Sequence, residues 1–167
     1  MSDRVTGDTG TTVPGVLVSV NGCGLLITGE SGTGKSDTAL RLLERGHRLI
    51  ADDAVTLSVE DGVLYGRAPS ALAGWLEIRG LGPQPVTTLF GSHTVAERAP
   101  VDRVIRLTSP RSWADWPRLA PTVDDTLLLG RTVPRITLPV SPERPLALLV
   151  EVVARLHAGD QLTGGTV

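Results

Sequence analysis

Residues 29–36 read Gly29, Glu30, Ser31, Gly32, Thr33, Gly34, Lys35, Ser36, a match to G-x-x-x-x-G-K-[ST]. Gly29, Gly32 and Gly34 let the backbone turn until its N–H groups converge on a polyphosphate, and the start of a following helix adds to that attraction. Lys35 brings a flexible point charge to the β and γ phosphates, and the Ser36 hydroxyl can ligate Mg²⁺. A plain glycine turn between a strand and a helix explains no lysine and hydroxyl side by side. Asp52 and Asp53 are the second group. Two adjacent carboxylates allow one to serve a metal while the other takes a proton from an incoming hydroxyl; a turn or a helix cap is the plainer use of such a pair. The third group is LEIRGLG, residues 76–82, in which Glu77 and Arg79 alternate with Leu76 and Ile78. In a strand both charges share one side, offering a further carboxylate for Mg²⁺ and a cation for a phosphate. An exposed edge strand with a turn is the alternative.

These groups need elements to hold them. GVLVSV (residues 15–20) and LLIT (25–28) are β-rich runs parted by Asn21, Gly22, Cys23 and Gly24, and Asn-Gly between such runs predicts a hairpin. The second run leads directly into the glycine loop. From Lys35 to Arg45 the period changes. Ala39, Leu40, Leu42 and Leu43 fall on one helical face, Asp37, Arg41 and Glu44 lie elsewhere, and Gly46 stands at the C-cap position. RLIA (48–51) reads as a short buried strand that delivers Asp52 and Asp53. A right-handed crossover would set it beside LLIT, with its end near the phosphates. Further strands are expected at 54–59, 63–67, 103–107 and 136–140, Leu76 to Arg79 follows a short helical or irregular piece at 69–74, and 80–85 is expected to be a loop. Residues 108–135, with Trp113, Trp116, four prolines and the Asp124–Asp125 pair, carry no clear period. Pro145 opens a final helix with Leu146, Leu149, Val150, Val153 and Leu156 on one face.

The chain of 167 residues can enclose one core, and its net charge of −2 argues against a basic nucleic-acid-coating protein and against an acidic disordered tail. Its 19 Gly and 12 Pro stay below the roughly 25–30% that marks low complexity, so they predict tight turns. Cys23, the single cysteine, rules out an internal disulfide and any multi-cysteine zinc site, suits a reducing compartment and reads as a small hydrophobe. The polar start shows neither a signal peptide nor a membrane anchor, and no run approaches the length of a spanning helix. A cytoplasmic location, no membrane and no nucleic-acid partner are the expectations. They are joined by an unstructured segment at 1–12, a catalytic domain at 13–158 and a frayed tail at 159–167. His47 is expected to cap or pack between helix and strand, His93 to lie in a loop and His157 to be solvated in the last helix.

Taken together, GVLVSVNGCGLLITGESGTGKSDTALRLLERGHRLIADD, LEIRGLG with LFG at 89–91, and ITLPVSPERPLALLVEVVARL resemble the catalytic domain of the HPr kinase/phosphorylase family. These bacterial enzymes phosphorylate a serine of the phosphocarrier protein HPr in carbon catabolite control and reverse it by phosphorolysis. The resemblance covers residues 13–157. It implies an α/β fold, a mixed β-sheet with the P-loop and flanking helices, similar to the nucleotide core of phosphoenolpyruvate carboxykinase, and a homo-hexamer. It further implies ATP on Gly29 to Ser36, Lys35 as catalytic, and Mg²⁺ on Ser36 and Glu77. Asp53 is implied as proton acceptor, Asp52 as support for it or the metal, and the 76–85 loop as shared by both reactions. Counted back without gaps from Pro139 and Val140, Arg118 falls where the family carries a catalytic arginine. With few residues before the domain, the chain is expected to be a stand-alone catalytic core.

The departures are also informative. Pro14 stands where the family has a catalytic histidine, and Pro139, Val140, Ser141, Pro142, Glu143, Arg144, Pro145 replaces a loop resembling P-V-R-P-G-R-N. Both positions are linked in the family to dephosphorylation, so kinase activity without efficient phosphorolysis is the expectation. A kinase of another serine (free or in a peptide) and a non-catalytic nucleotide-binding regulatory module remain the competing readings.

Overall fold

The computed structural model describes residues 10–156. Along the chain run β1 (Thr11–Pro14), β2 (Val16–Val20), β3 (Cys23–Gly29), α1 (Lys35–Glu44), β4 (Arg48–Ala51), β5 (Ala54–Glu60) and β6 (Val63–Arg67). They are followed by β7 (Trp75–Ile78), β8 (Gly82–Pro85), α2 (Val86–Phe90), β9 (Arg98–Pro100), β10 (Arg103–Thr108), β11 (Thr122–Leu128), β12 (Arg131–Pro139) and α3 (Leu146–Arg155).

The near-continuous apolar runs of β2 and β3 are what a strand buried on both faces requires. Val16, Val18, Val20, Leu25 and Ile27 point into a core shared with Ala39, Leu42 and Leu43 of α1 and Val150 and Val153 of α3. Leu17 and Leu26, on the opposite face, pack with Val55, Leu57 and Leu64 of the neighbouring sheet. Three layers result: helices, a six-stranded mixed sheet in the order β11-β12-β10-β3-β2-β4, and a four-stranded sheet β1-β5-β6-β9. This is the mixed-sheet α/β architecture expected from the sequence.

Several expectations need correction. β4 does not lie beside β3: it pairs antiparallel with β2, which stands between them. Both edges of β3 are already taken, one by its hairpin partner β2 and the other by the parallel strand β10. β4 still runs in the same direction as β3, so the end carrying Asp52 and Asp53 reaches the same rim of the sheet. Thr11 and Thr12 pair with Leu57 and Thr56, so strand structure begins inside the segment expected to be unstructured. The 80–85 stretch is half of a hairpin, with Glu77 opposite Pro83 and Ile78 opposite Gly82. Within 108–135, β11 pairs antiparallel with β12 through a turn in which Leu129 and Gly130 both adopt positive φ.

The buried face of α3 is rotated from the expected one. Ala147, Val150, Val153 and Ala154 are buried together with Glu151, while Leu149 is only partly covered. Glu151 is drawn inward by two residues just past α1: its Oε2 lies 2.8 Å from His47 Nε2, and its Oε1 accepts a 2.5 Å hydrogen bond from Arg45 Nε. Burial alone would raise the Glu151 carboxyl, but the hydrogen bonds from His47 and Arg45 outweigh it and hold the group below the ordinary carboxylate range. His47 thus packs between helix and strand as expected, and His93 is exposed in a short 3-10 turn. His157 and the 159–167 tail lie outside the described residues.

Candidate active site

β3 ends on Gly29 because no other residue fits there. A Cβ at Gly29 would lie 2.6 Å from the Leu107 carbonyl oxygen of β10, and its φ is +143°. The chain then loops through 30–34. Thr33 closes the loop, its N–H and Oγ1 both donating to the Glu30 carbonyl at 3.2 and 2.7 Å. Gly34, at φ 95°, turns the backbone directly into α1. Lys35 Nζ donates to the Gly29 and Glu30 carbonyls at 2.8 and 3.1 Å, which holds the ammonium across the loop. Glu30 and Ser31 are exposed at its tip.

The two aspartates have separate environments. Asp52 is 6% exposed. Its Oδ1 accepts from Ser36 Oγ at 2.8 Å and its Oδ2 from the Glu77 N–H at 2.9 Å, so one carboxylate fixes the first turn of α1 to β7. Asp53 is exposed and adopts φ 70°, a left-handed conformation that aspartate tolerates better than most residues. That turn is held from both sides, by Gly15 N–H donating to the Asp53 carbonyl at 3.2 Å and Ala54 N–H to the Asp52 carbonyl at 2.8 Å.

A cleft of about 400 Å³ is lined by Ser31, Gly32, Gly34, Lys35, Ser36, Asp37, Asp53, Glu77 and Arg79, with Gly80 and Gly82 of the β7–β8 hairpin closing one side. Three segments far apart in sequence converge there: the glycine loop, the end of β4 and β7. Asp52 lies beneath them. Arg118 is not brought in. It is exposed between the 3-10 turn at Trp113–Asp115 and β11, and it lines neither this cleft nor its neighbour. Pro14 ends β1, opposite Ala54 and beside the Gly15 that bonds Asp53.

The oxygen donors facing the cleft, the Ser36 hydroxyl and the Glu77 and Asp53 carboxylates, are hard ligands of the kind Mg²⁺ prefers. Among the described residues no cluster of three or more His, Cys, Asp or Glu forms a cation cage.

A larger cleft of about 910 Å³ adjoins the first, sharing Gly32, Gly34 and Asp37 with it. It runs between α1 and the Val140–Leu146 segment. Sequence reasoning missed it, because its walls come from opposite ends of the chain. The one local signal was the displacement of Asp37 and Arg41 from the apolar face of α1.

A model of the HPr serine kinase C-terminal domain matches residues 8–163. An HPr kinase/phosphorylase from Clostridium beijerinckii is 44% identical over 144 residues, 86% of this chain and 48% of that protein. One from a Thermoanaerobacter species is 43% identical over 152 residues, 90% of this chain and 50% of that protein. The chain therefore spans about half the length of the curated relatives it matches. The solved structure of the HPr(Ser) kinase/phosphatase from Coxiella burnetii superposes with a TM-score of 0.81 at 36% identity, covering 88% of this chain and 90% of that one.

Proposed function

The chain belongs to the HPr serine kinase C-terminal domain family, and from that premise we propose that it transfers the γ-phosphoryl group of ATP to a serine hydroxyl of the phosphocarrier protein HPr. The observation that carries this reading is the convergence of Lys35, Ser36, Asp53 and Glu77 on one cleft at the mouth of the glycine loop. Phosphoryl transfer asks a protein mainly for positioning and charge stabilisation. The loop amides and Lys35 take up the charge that develops on the transferred group. Asp53, exposed at the cleft, accepts the serine proton as the hydroxyl oxygen attacks phosphorus and the bond to the β-phosphate oxygen breaks. Ser36 and Glu77 would hold Mg²⁺, with Asp52 fixing the Ser36 hydroxyl and the Glu77 backbone from below. The ion, when bound, neutralises phosphate oxygens. Arg118 is left out of the step because it lines neither cleft.

On this reading the protein works in the cytoplasm as a homo-oligomer, with HPr as its partner, in the control of carbon-source use. Phosphorolysis is weak or absent. Pro14, next to the turn that holds Asp53, has neither a titratable proton nor an N–H to offer a phosphate.

Incubation with ATP, Mg²⁺ and HPr should give phosphoserine on HPr by mass spectrometry. Transfer to free serine or a serine peptide but not to HPr would reassign the substrate, and tight ATP binding with no transfer to any of them would overturn the kinase reading. In the reverse direction, phosphoserine-HPr with Mg²⁺ and excess inorganic phosphate should release little pyrophosphate; rapid release would refute the loss of phosphorolysis.

A further inference from the structure

β7 is pinned to the aspartate turn by the Glu77 N–H, which donates to Asp52 Oδ2 at 2.9 Å. Strand alternation puts Trp75 and Glu77 on one side of β7 and Leu76 and Ile78 on the other. Leu76 is buried in the core shared with α1, so the Trp75 side faces outward. Pro85 pairs with Trp75 and Pro83 with Glu77, which places both prolines on that outer side as well. Trp75 is 44% exposed, Pro83 is exposed and Pro85 is half-buried, so an apolar ledge continues the rim of the cleft beyond Glu77.

The backbone limits how a partner can use this hairpin. Val86 N–H donates inward to the Gly74 carbonyl at 2.9 Å, so by the alternation of a paired strand the backbone nitrogens of 82 and 84 face β7 and those of 83 and 85 face away. Both outward positions are proline, and an added strand finds no N–H donor there. The hairpin therefore offers a face of side chains, not an edge. Its position decides what covers that face. Asp53 is exposed at the cleft, so a folded protein that brings a serine hydroxyl to it must lie against the residues that border Glu77. Trp75 stands two strand residues from Glu77, about 7 Å away, a distance that two residues of an extended acceptor chain also span. Tryptophan is also the residue type most enriched among the side chains that dominate protein interfaces.

We propose that Trp75, with Pro83 and Pro85, is a docking ledge for the acceptor protein and receives an apolar side chain lying within two residues of the serine that is phosphorylated. The inference rests on the kinase reading of the cleft and adds what selects a protein acceptor over free serine, which is too short to reach the ledge from Asp53.

The test measures steady-state transfer from MgATP to HPr by the full chain and its variants. Trp75→Ala should raise KM for HPr about tenfold while kcat and KM for MgATP change by less than about twofold, and Trp75→Phe should keep KM for HPr within about threefold of wild type. An unchanged KM for HPr in Trp75→Ala overturns the inference and leaves the kinase reading standing. A parallel rise in KM for MgATP overturns it too, since Trp75 would then be supporting the cleft itself. So does a changed oligomeric state of Trp75→Ala in analytical ultracentrifugation, which would assign the ledge to a second copy of this chain. Wild-type protein that phosphorylates no serine acceptor sinks the kinase reading and this inference with it. A second arm leaves the kinase unaltered: replacing the exposed apolar residue of HPr nearest its acceptor serine by Asn should raise KM by a similar factor, and an unchanged KM refutes the contact.

Discussion

Asp52 and Asp53 are chemically identical neighbours made different by one turn of backbone. Asp52 ends inside, with both oxygens committed to protein donors, and Asp53 is turned by its φ of 70° to the cleft surface. They should fail differently when changed. Asp53→Asn should keep ATP affinity within about twofold and lower turnover by about 100- to 10,000-fold, the usual weight of a general base, measured as phosphoserine formed under saturating ATP; near-normal turnover would remove Asp53 from the base role. Asp52→Ala should instead destabilise the fold by about 1–3 kcal/mol in urea, because the Ser36 hydroxyl and the Glu77 N–H lose their acceptor in a part-buried place. Lys35→Ala should cost transfer about 100- to 1,000-fold, as removal of one strong charge-stabilising donor does elsewhere. Retained activity in that variant would mean that another cation covers the phosphates.

At the scale of elements, the helices on either side of the second cleft are latched at one end. Arg45 and His47, just past α1, grip Glu151 in the middle of α3. Because the folded Glu151 carboxyl lies below its ordinary value of 4.5, the latch contributes fully above that value and is lost as pH falls through the folded one. Wild-type stability should therefore drop on acidification below about pH 5, and Glu151→Gln, already less stable at neutral pH, should show a shallower drop. Chemical denaturation across pH checks this: parallel curves for the two proteins would mean that the pair adds no pH dependence. The same latch explains why α3 buries the carboxylate of Glu151 on an otherwise apolar face.

At the scale of the whole molecule, Cys23 reports on whether the helix layer is closed over the six-stranded sheet. It is 3% exposed at the start of β3, and burial, followed by the Asp102 carboxylate, pushes its thiol up to about 11. The folded protein should leave a disulfide reagent such as Ellman's unreacted near pH 8 and react in full once denatured; prompt reaction of native protein would show that this face of the core opens. The sequence by itself determined what depends on neighbours along the chain. The Asn21–Gly22 hairpin, the glycine loop running into α1, the strand that presents the two aspartates and the LEIRGLG strand are all local matters of turn chemistry and period. Its motifs also pointed to the family. Tertiary structure alone decided that β2 lies between β3 and β4, that Asp52 turns inward while Asp53 turns out, and that the 140–146 segment faces α1 across a cleft. Those outcomes follow from competition for strand edges and from contacts between residues as far apart as Arg45 and Glu151. Periodicity records which face of an element is apolar, but not which partner covers it.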